Sequence, residues 1–468
     1  MDDELSTDVL VVGGGPAGMA SAIQARDLGL SVTLVDEQPG LGGQYYRDFP
    51  PGYRVTSRKT QGHRYATGRA LADRVLSSGT AVLLNTTVYA LGPGWAALDT
   101  DEPGPARVEF AVLILATGAY DRPVPFPGWT LPGVMTAGGA QTLIKAQRIV
   151  PGRRVIMAGS GPLTLAFSAQ LARYGTDLVG VVEAARAIGT RTMARYAGAW
   201  PGNGRVLAEG MASLAYLRYR GIPVSFAHRV VRAEGDRQVE RAVVAQVDEN
   251  WLPIAGTEVA LDVDTVCLGY GFLSVNELAR SAGCQHSYLD HQGGLGPVRD
   301  EWLRTSVRSV LVAGDGALVR GAGVAAEEGR LAAVTAALDL GKLHDAQALA
   351  LARPIRRRLA RLARLVRANA LTFPVGSCLY HLAAPDTIVC RCEDVTAAEI
   401  TRRGPFEGGD VNLAKARTRA GMGRCQGRNC QWQIAALLRS GDGPGASTFT
   451  SRQPVKPVRI ESIVRSRI

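Results

Sequence analysis

Long apolar runs, cysteines and signals for export are all scarce in this chain, and each shortage excludes a class of protein. No stretch of eighteen uncharged apolar residues occurs, so the sequence predicts no membrane span. Seven cysteines are spread unevenly over 468 residues, which argues against a secreted disulfide framework. The acidic start, MDDELSTDVLVVGGG, lacks the pattern of a signal peptide. We therefore expect a cytoplasmic protein.

Acidic residues are fewer than basic ones, and the formal net charge is +11. Much of the excess lies in RPIRRRLARLARLVR, residues 353–367, where no aromatic residue is interleaved for base stacking. We therefore expect no nucleic-acid partner. Apolar residues recur there at helical spacing, which predicts an amphipathic helix over residues 354–369 that bridges two domains. A docking surface for an acidic partner or for cofactor phosphate is the alternative interpretation.

Glycine is abundant, with 55 residues, and the first glycine cluster follows a strand. DVLVVGGGPAGMASAIQARDLGLSVTLVDE has the pattern of strand, turn, helix and strand, with Gly13-x-Gly15-x-x-Gly18 at the turn. Gly13 permits the tight turn, Gly15 lets backbone amides approach a pyrophosphate, and Gly18 lets helix and strand pack closely. A carboxylate after the second strand can bind both ribose hydroxyls. Asp36 fits that spacing best, and Glu37 is next to it.

The same plan recurs in RRVIMAGSGPLTLAFSAQLARYGTDLVGVVE, residues 153–183. Gly159 and Gly161 are in place and Glu183 closes the second strand, but the third glycine position holds the bulkier Thr164. No pair of arginines follows Glu183, so nothing indicates a 2′-phosphate. Two interpretations stay open: a weak site for NAD or an adenine nucleotide, or a scaffold retained without a ligand.

Two later strands end in turns that decide which dinucleotide the first site holds. They are VLILATGAYDRP, with Ala116-Thr117-Gly118, and SVLVAGDGALVRGAGVAAEEGRLAA, with Gly314-Asp315. With the first glycine cluster, these turns resemble the FAD-dependent pyridine nucleotide-disulfide oxidoreductases that have two dinucleotide domains. The resemblance implies that Asp315 hydrogen-bonds the flavin ribityl chain and that the following helix points its N-terminus at the isoalloxazine.

The redox disulfide that such reductases use has no counterpart beside these motifs. Three cysteines pair with nothing at motif spacing, and each is expected to act as a small buried hydrophobic residue: Cys267, Cys284 and Cys378. Three histidines belong to no recognisable constellation: His286, His291 and His381. The sequence therefore nominates no catalytic residue.

The remaining four cysteines lie near the C-terminus in two pairs with 32 residues between them: Cys390-x-Cys392 and Cys425-x4-Cys430. Four thiolates suit an iron–sulfur cluster or a structural zinc, and the Cys-x-Cys spacing suits zinc less well. A capping box, Thr396-x-x-Glu399, predicts a helix after the first pair, and QWQIAALL predicts another after the second. Helix N-termini stabilise thiolates, which favours metal ligation.

This spacing resembles the small helical [2Fe-2S] domain of bacterioferritin-associated ferredoxins, and Lys415, Arg417 and Gly421-x-Gly423 agree with it. Together with LVDEQPGLGGQYYR and PFPGWTLPGVMTAGGAQTLIKA, the two halves resemble one group. Its members are the α (A) subunits of heteromeric amino-acid dehydrogenases: opine (octopine or nopaline) oxidases, hydroxyproline dehydrogenases and the hydrogen cyanide synthase subunit.

The resemblance implies an α/β fold with two Rossmann-like dinucleotide domains and a small helical cluster domain. It implies these contacts to FAD: Gly13, Gly15, Pro16, Ala17, Gly18, Asp36, Glu37, Gly43, Gln44, Ala116, Thr117, Gly118, Gly314 and Asp315. It places NAD or ATP, if any, at Gly159, Gly161 and Glu183. It makes Cys390, Cys392, Cys425 and Cys430 the cluster ligands.

The resemblance to this group also implies which subunit carries out which step of the reaction. A β subunit with a D-amino-acid-oxidase-like FAD fold oxidises a CH–NH or CH–NH2 donor, and electrons leave through FMN at a subunit interface and through iron–sulfur centres. A small [2Fe-2S] γ subunit belongs to some such assemblies, and a dye or quinone accepts the electrons. Two alternatives stay open: a self-contained NADH-dependent oxidoreductase, and a non-catalytic nucleotide-binding scaffold.

We expect six segments along the chain. They are the first half of an FAD domain (1–125), an NAD-like domain (126–240), the second half of the FAD domain (241–340), a linker helix (341–383), the cluster domain (384–445) and a tail at the surface or an interface (446–468).

Overall fold

The computed structural model describes residues 4–49, 62–101, 103–187, 189–289, 293–402, 410–438 and 448–466. The first elements are β1 (Glu4–Val12), α1 (Pro16–Asp27), β2 (Val32–Val35), α2 (Gly62–Ser77), β3 (Ala81–Leu83), β4 (Thr86–Gly92), β5 (Trp95–Thr100), β6 (Arg107–Leu115), β7 (Ala119–Asp121), β8 (Val134–Thr136), α3 (Ala137–Thr142), β9 (Arg154–Gly159), α4 (Pro162–Arg173), β10 (Asp177–Glu183), α5 (Thr190–Ala199), α6 (Gly204–Tyr219) and β11 (Val224–Phe226).

The later elements are β12 (His228–Glu234), β13 (Arg241–Gln246), β14 (Val259–Asp262), β15 (Thr265–Gly269), β16 (Phe272–Ser274), α7 (Glu277–Ser281), β17 (His286–Leu289), β18 (Gly294–Pro297), β19 (Val310–Val312), α8 (Ala322–Asp339), α9 (Asp345–Thr372), β20 (Ile388–Cys390), β21 (Val395–Thr396), α10 (Ala397–Thr401), α11 (Val411–Thr418), α12 (Gln431–Leu438) and α13 (Ile460–Ser466).

These elements divide into two compact units. The first unit is formed by described residues within Met1–Tyr120, Leu273–Ala363 and Ser451–Ile468. The second unit is formed by those within Asp121–Phe272 and Arg364–Thr450.

A seven-stranded sheet forms the centre of the first unit, in the order β3-β2-β1-β6-β5-β4, with β19 also paired to β6. The strands β3, β2, β1, β6 and β19 are parallel. Both faces of this sheet are covered, which is why β1 is a continuous apolar run from Val9 to Val12, all buried. The carboxyl ends of β1, β2, β6 and β19 meet at one edge, where the predicted flavin motifs lie.

Helices α1 and α8 pack closely in the first unit because small residues face each other. A Cβ added to Gly329 of α8 would lie 2.1 Å from the carbonyl oxygen of Ala17. The Ser21 hydroxyl donates to the Gly329 carbonyl oxygen at 3.0 Å. The small-residue character of AGVAAEEGRLAA therefore reflects helix packing directly behind the glycine loop.

The second unit contains a five-stranded parallel sheet in the order β11-β10-β9-β15-β8 and an antiparallel sheet of β12, β13 and β14. This division differs from the boundary expected at residue 240. Residues 241–269 form β13, β14 and β15, and β15 pairs with β9 from Thr265 to Gly269. The apolar segment TVCLG is a buried central strand of this sheet, so it completes the second unit and not the second half of the FAD domain.

The cluster-like segment also belongs to the second unit. The hairpin β20–β21 and helices α10, α11 and α12 enclose their own small hydrophobic core. Two hydrogen bonds connect them to the loop after β7. The Trp129 indole donates to the Ile388 carbonyl oxygen (2.6 Å), and the Gln433 amide donates to that of Pro123 (2.9 Å).

Helix α9 is longer than the helix expected over residues 354–369, since it begins at Asp345 and continues through Pro354. Proline removes one backbone donor from a helix. Ala348, Ala352 and Ile355 are buried in the core of the first unit, and this packing supports the helix on both sides of the proline. Among the described residues, no helix is both long and apolar enough to cross a bilayer.

Candidate functional site

The first glycine loop is shaped by close backbone contacts that only glycine permits. Gly13 has φ of +107°, and a Cβ there would lie 2.4 Å from the Ala116 carbonyl oxygen. A Cβ on Gly18 would lie 1.7 Å from the Gly13 carbonyl oxygen. Pro16 begins α1, where its missing N–H costs no helical hydrogen bond, and Ala17 is buried behind it. The N-terminus of α1 therefore faces the loop as a phosphate site requires.

Asp36 holds the glycine loop from the end of β2. Its Oδ2 accepts from the Gly14 N–H (2.5 Å), and its Oδ1 accepts from the Gln38 N–H (2.7 Å). Burial raises the pKa of Asp36, while the two N–H donors and the charges of Lys456 and Arg47 act in the opposite direction. A carboxylate has about four acceptor positions, so these two bonds leave room for ribose hydroxyls.

A second loop, residues 41–44, lies against the first one. Gly43 has φ of +57°, and its added Cβ would lie 2.8 Å from the Cα of Gly15. The Gln44 side chain accepts from Arg47 at 3.0 Å. Glu37 is half-exposed and forms an ion pair with Lys456. The predicted residues of both loops are thus brought together, with Arg47 and Lys456 in addition.

The two flavoprotein turns lie at the same edge of the first unit. The Thr117 hydroxyl donates to the Val275 carbonyl oxygen (2.6 Å), and a Cβ on Gly316 would lie 2.7 Å from that hydroxyl. Asp315 is partly buried, and its Oδ1 accepts from the N–H groups of Arg320 (2.9 Å) and Gly321 (3.0 Å). Asp315 therefore shapes the segment that leads into α8.

Sequence reasoning missed a buried carboxylate behind this turn. Glu328 of α8 is 2% exposed and accepts from the Gly314 N–H at 2.8 Å. It also forms ion pairs with Arg299 (3.0 Å) and with Arg320. The only signal in the sequence was the pair of acidic residues in AEEGR, within a mostly apolar helix. Arg299 and Arg320 lie in loops and belong to no motif.

The second glycine loop uses its carboxylate in nearly the same way. Glu183 accepts from the Gly161 N–H through Oε2 (3.0 Å) and from the Ala185 N–H through Oε1 (2.9 Å). A Cβ on Gly159 would lie 2.2 Å from the Gly269 carbonyl oxygen, so this loop also packs against a neighbouring strand. Glu183 is fully buried, and burial raises its pKa to about 7.

A tyrosine of α5 lies near the acid of this second loop and is bonded to the end of α9. Tyr196 of α5 lies within electrostatic reach of Glu183, and its hydroxyl donates to Asn369 near the end of α9 (3.0 Å). Arg195 donates to the Leu371 carbonyl oxygen at 2.7 Å. Thr164 is buried, and no partner for its hydroxyl is found among the described residues.

The four C-terminal cysteines come together as two hydrogen-bonded pairs. Cys390 bonds to Cys430, and Cys392 bonds to Cys425. The Cys430 thiol lowers the pKa of Cys390 to about 6, with help from the N–H groups of Gly421, Glu393 and Cys392. The same contact, with burial, raises the pKa of Cys430. Two thiolates for each of two metal ions is the ligand set of a [2Fe-2S] cluster.

The glycines around these pairs bring backbone against sulfur. The Gly421 N–H donates to the Cys390 Sγ at 3.4 Å, and Gly421 has φ of +85°. A Cβ on Gly423 would lie 2.3 Å from the Cβ of Cys392. The predicted capping box is confirmed, since Thr396 accepts from the Glu399 N–H and Glu399 accepts from that of Thr396. Backbone N–H groups that donate to the sulfurs of an iron–sulfur cluster change its reduction potential.

Other predicted features contribute no site. Within the described ranges, no three His, Cys, Asp or Glu side chains are arranged to hold a single metal ion. His286 is partly buried and His381 is exposed, while His291 lies outside the described residues. Cys267 and Cys284 are buried, as predicted, and Cys378 is half-buried.

Two protein families match successive parts of the chain. The family described as pyridine nucleotide-disulphide oxidoreductase matches residues 7–341, and the BFD-like [2Fe-2S] binding domain matches residues 388–440. Hydrogen cyanide synthase subunit HcnB of Pseudomonas aeruginosa is 35% identical over 460 residues, covering 96% of both chains. The opine oxidase A subunit of Agrobacterium tumefaciens is 34% identical over 473 residues, covering 97% of this chain and 91% of that one.

Among solved structures, L-proline dehydrogenase from P. horikoshii has the same fold, with a TM-score of 0.67 and 20% identity over 99% of this chain and 80% of that one. The match to the oxidoreductase family covers well over half of the chain, and the two relatives cover nearly all of it. The chain therefore belongs to the pyridine nucleotide-disulphide oxidoreductase family, within the group of HcnB and opine oxidase A subunits, and its cofactors are FAD and a [2Fe-2S] cluster.

Proposed function

We propose that this chain is the electron-transfer subunit of a heteromeric dehydrogenase that oxidises the C–N bond of an amino acid or opine. The observation that carries the proposal is the pairing of Cys390 with Cys430 and of Cys392 with Cys425, in a chain that also has a glycine loop held by the carboxylate of Asp36. FAD accepts electrons in pairs and a [2Fe-2S] cluster passes them singly, so the two together suit transfer between a two-electron donor and a one-electron acceptor.

We assign the first edge to FAD through the glycine loop, Asp36, residues 43–44, the turn at 116–118 and Asp315. The close backbone contacts at Gly13, Gly18 and Gly43 support this assignment, because they hold the loop in the tight turn that a dinucleotide-binding motif requires. We assign the cluster to the four C-terminal cysteines, whose N–H donors already favour thiolate at Cys390.

In this proposal another subunit binds and oxidises the substrate amine. Relatives named as a subunit of hydrogen cyanide synthase and a subunit of opine oxidase support an assembly of unlike chains. A β subunit with a D-amino-acid-oxidase-like FAD fold would remove the electrons, and FMN at the subunit interface would lead them to this chain. A dye or quinone would receive them, and a small [2Fe-2S] γ subunit is a further candidate partner.

A self-contained NADH-dependent reductase is the weaker candidate. It requires NADH at the second glycine loop, where Thr164 stands at the third glycine position and Glu183 is fully buried. A non-catalytic scaffold is weaker still, since it gives no reason for the four paired cysteines.

An anaerobic titration of the purified chain, followed by absorbance and EPR, tests these candidates. We expect flavin bands and a [2Fe-2S] signal that respond to dithionite and stay unchanged with NADH. Rapid bleaching by NADH alone would instead establish the complete reductase. A chain without flavin would support the scaffold.

Replacement of one ligand tests whether the two centres are independent. Cys425→Ser should abolish the cluster signal and leave the flavin content unchanged, because the two sites lie in different compact units. Cys378→Ser is the matched control, as a half-buried cysteine of the same unit that should leave both signals intact. Loss of flavin together with the cluster in Cys425→Ser would contradict the modular assignment.

A further inference from the structure

The C-terminal strap, residues 451–466, is built into the first unit although the sequence predicted only a tail at the surface or an interface. Its beginning is fixed to β4. The Val455 N–H donates to the Tyr89 carbonyl oxygen at 2.8 Å, and the Gln453 side chain donates to that of Leu91 at 2.7 Å. Val455 is buried in the core of this unit.

The end of the strap is fixed as firmly, through α13. The Tyr89 hydroxyl is buried and donates to the Ser462 carbonyl oxygen at 3.1 Å. Asp99 of β5 accepts from Arg459 (2.8 Å) and from the Ser462 hydroxyl (2.5 Å). Because both ends are held, the residues between them have a defined position.

Lys456 lies between these two anchors and reaches the end of β2. Its ammonium forms an ion pair with Glu37, which is 419 residues earlier in the sequence. The Thr86 N–H, at the start of β4, donates to the Asp36 carbonyl oxygen at 3.0 Å. The strand to which the strap is bonded therefore also adjoins Asp36, the acid predicted to bind the ribose. Lys456 thus forms an ion pair with Glu37 and lies within electrostatic reach of Asp36.

We propose that the strap is part of the first nucleotide site and that Lys456 completes its ribose end for an adenine dinucleotide. This inference rests on the proposed FAD site. A dinucleotide brings a negatively charged pyrophosphate to a sheet edge where β2 is already followed by two adjacent carboxylates, Asp36 and Glu37. Lys456 neutralises Glu37, which leaves Asp36 as the acceptor for the ribose, and its ammonium has further donors for ribose oxygens.

The surroundings of Lys456 differ from those of an ordinary surface ion pair. Exposed lysine–carboxylate pairs contribute little to stability, and their side chains are usually solvated. Lys456 is only 29% exposed, and burial lowers its pKa, while the charge of Asp36 acts in the opposite direction. A lysine that loses hydration beside a predicted ribose site fits a ligand contact better than a pair on the surface.

The test is the affinity of the flavin-free chain for FAD, measured by quenching of flavin fluorescence on reconstitution. Lys456→Met should weaken FAD binding about tenfold or more, because the charge is lost, and Lys456→Arg should stay within about threefold of the wild type. Lys342→Met is the matched control: Lys342 is an exposed lysine of the same unit whose nearby carboxylate is Asp8. It should leave the affinity unchanged.

A Kd for Lys456→Met within twofold of the wild-type value would overturn the inference. A chain that ends at Thr450 should lose FAD altogether, and its intact [2Fe-2S] absorbance would show that the second unit is still folded. If that chain does not fold, the point variants decide alone.

Failure of the proposed FAD site is distinguishable from failure of the strap. If the wild-type chain binds no FAD, the proposed function is wrong. The same variants titrated with ADP then test the strap separately, since the adenosine ribose is common to both ligands. A weaker affinity of Lys456→Met for ADP supports the inference, and equal affinities overturn it.

Discussion

The two glycine loops of this protein share a scaffold and differ in what surrounds it. In each, an acidic residue accepts an N–H from the loop 22 positions before it and another N–H two positions after it. Asp36 reaches Gly14, and the longer Glu183 reaches Gly161. The carboxylate thus holds each loop through hydrogen bonds within the chain itself.

The two loops differ in the groups that surround their acids. Lys456 and Arg47 lie within electrostatic reach of Asp36, where they favour its ionised form. Glu183 is instead buried beside backbone amides, with Tyr196 nearby, and its pKa rises to about 7. Burial raises the pKa of both acids, so it is the two charged neighbours of Asp36, and not the shape of the loop, that distinguish the first loop from the second.

Converting the first loop to resemble the second should have the largest effect. Gly18→Thr places a Cβ 1.7 Å from the Gly13 carbonyl oxygen, so we expect loss of bound flavin and a destabilisation of several kcal/mol. Flavin content and thermal unfolding measure both. Gly210→Thr is the control, because its added Cβ meets nothing within 4 Å. Retention of flavin by Gly18→Thr would contradict the contrast between the loops.

The buried acid of the second loop should make stability depend on pH. The pKa of Glu183 is raised from 4.5 to about 7, so its contribution is fully favourable below about pH 4.5 and is lost as the pH rises through 7. Relative to Glu183→Gln, the wild type should lose up to about 3 kcal/mol over this window. Thermal midpoints from pH 4.5 to 8 measure it, with the exposed Asp177→Asn as control. Parallel curves for wild type and Glu183→Gln would contradict a raised pKa.

The matched replacement in the first loop should act on the ligand. Asp36→Asn keeps one acceptor oxygen but loses the charge, so FAD affinity should fall about tenfold or more, equivalent to about 1.4 kcal/mol. Glu183→Gln should leave FAD affinity unchanged, since it belongs to the other unit. Equal losses in both variants would mean that the acids have the same role.

The smallest effect is expected at Thr164. Its buried hydroxyl lacks a partner among the described residues, so Thr164→Val should stabilise the protein by about 1 kcal/mol. A rise in the thermal midpoint would agree with a closed scaffold. A lower midpoint, or weaker NADH binding by equilibrium dialysis, would show that the hydroxyl has a partner and reopen the nucleotide interpretation.

Several features were predictable because they depend on neighbouring residues. The strand, turn and helix at residues 8–36, the capping box at Thr396 and the helix after Cys430 all agree with the structure. The boundary at residue 240 was not predictable, because whether β15 pairs with β9 depends on partners more than 100 residues away. The helix start at Asp345 was missed because proline at position 354 resembles a helix N-terminus.

Local spacing of glycines, acids and thiols predicted the two strand–turn–helix–strand units and the four-cysteine motif, and the resemblance of these motifs to known proteins indicated the family. The folded chain was needed to establish which cysteines pair, that Glu328 is buried between two arginines, and that Lys456 forms an ion pair with Glu37. The reason is physical. Contacts between distant segments follow from packing of the whole sheet and its helices, and no local pattern records which side chains that packing brings together.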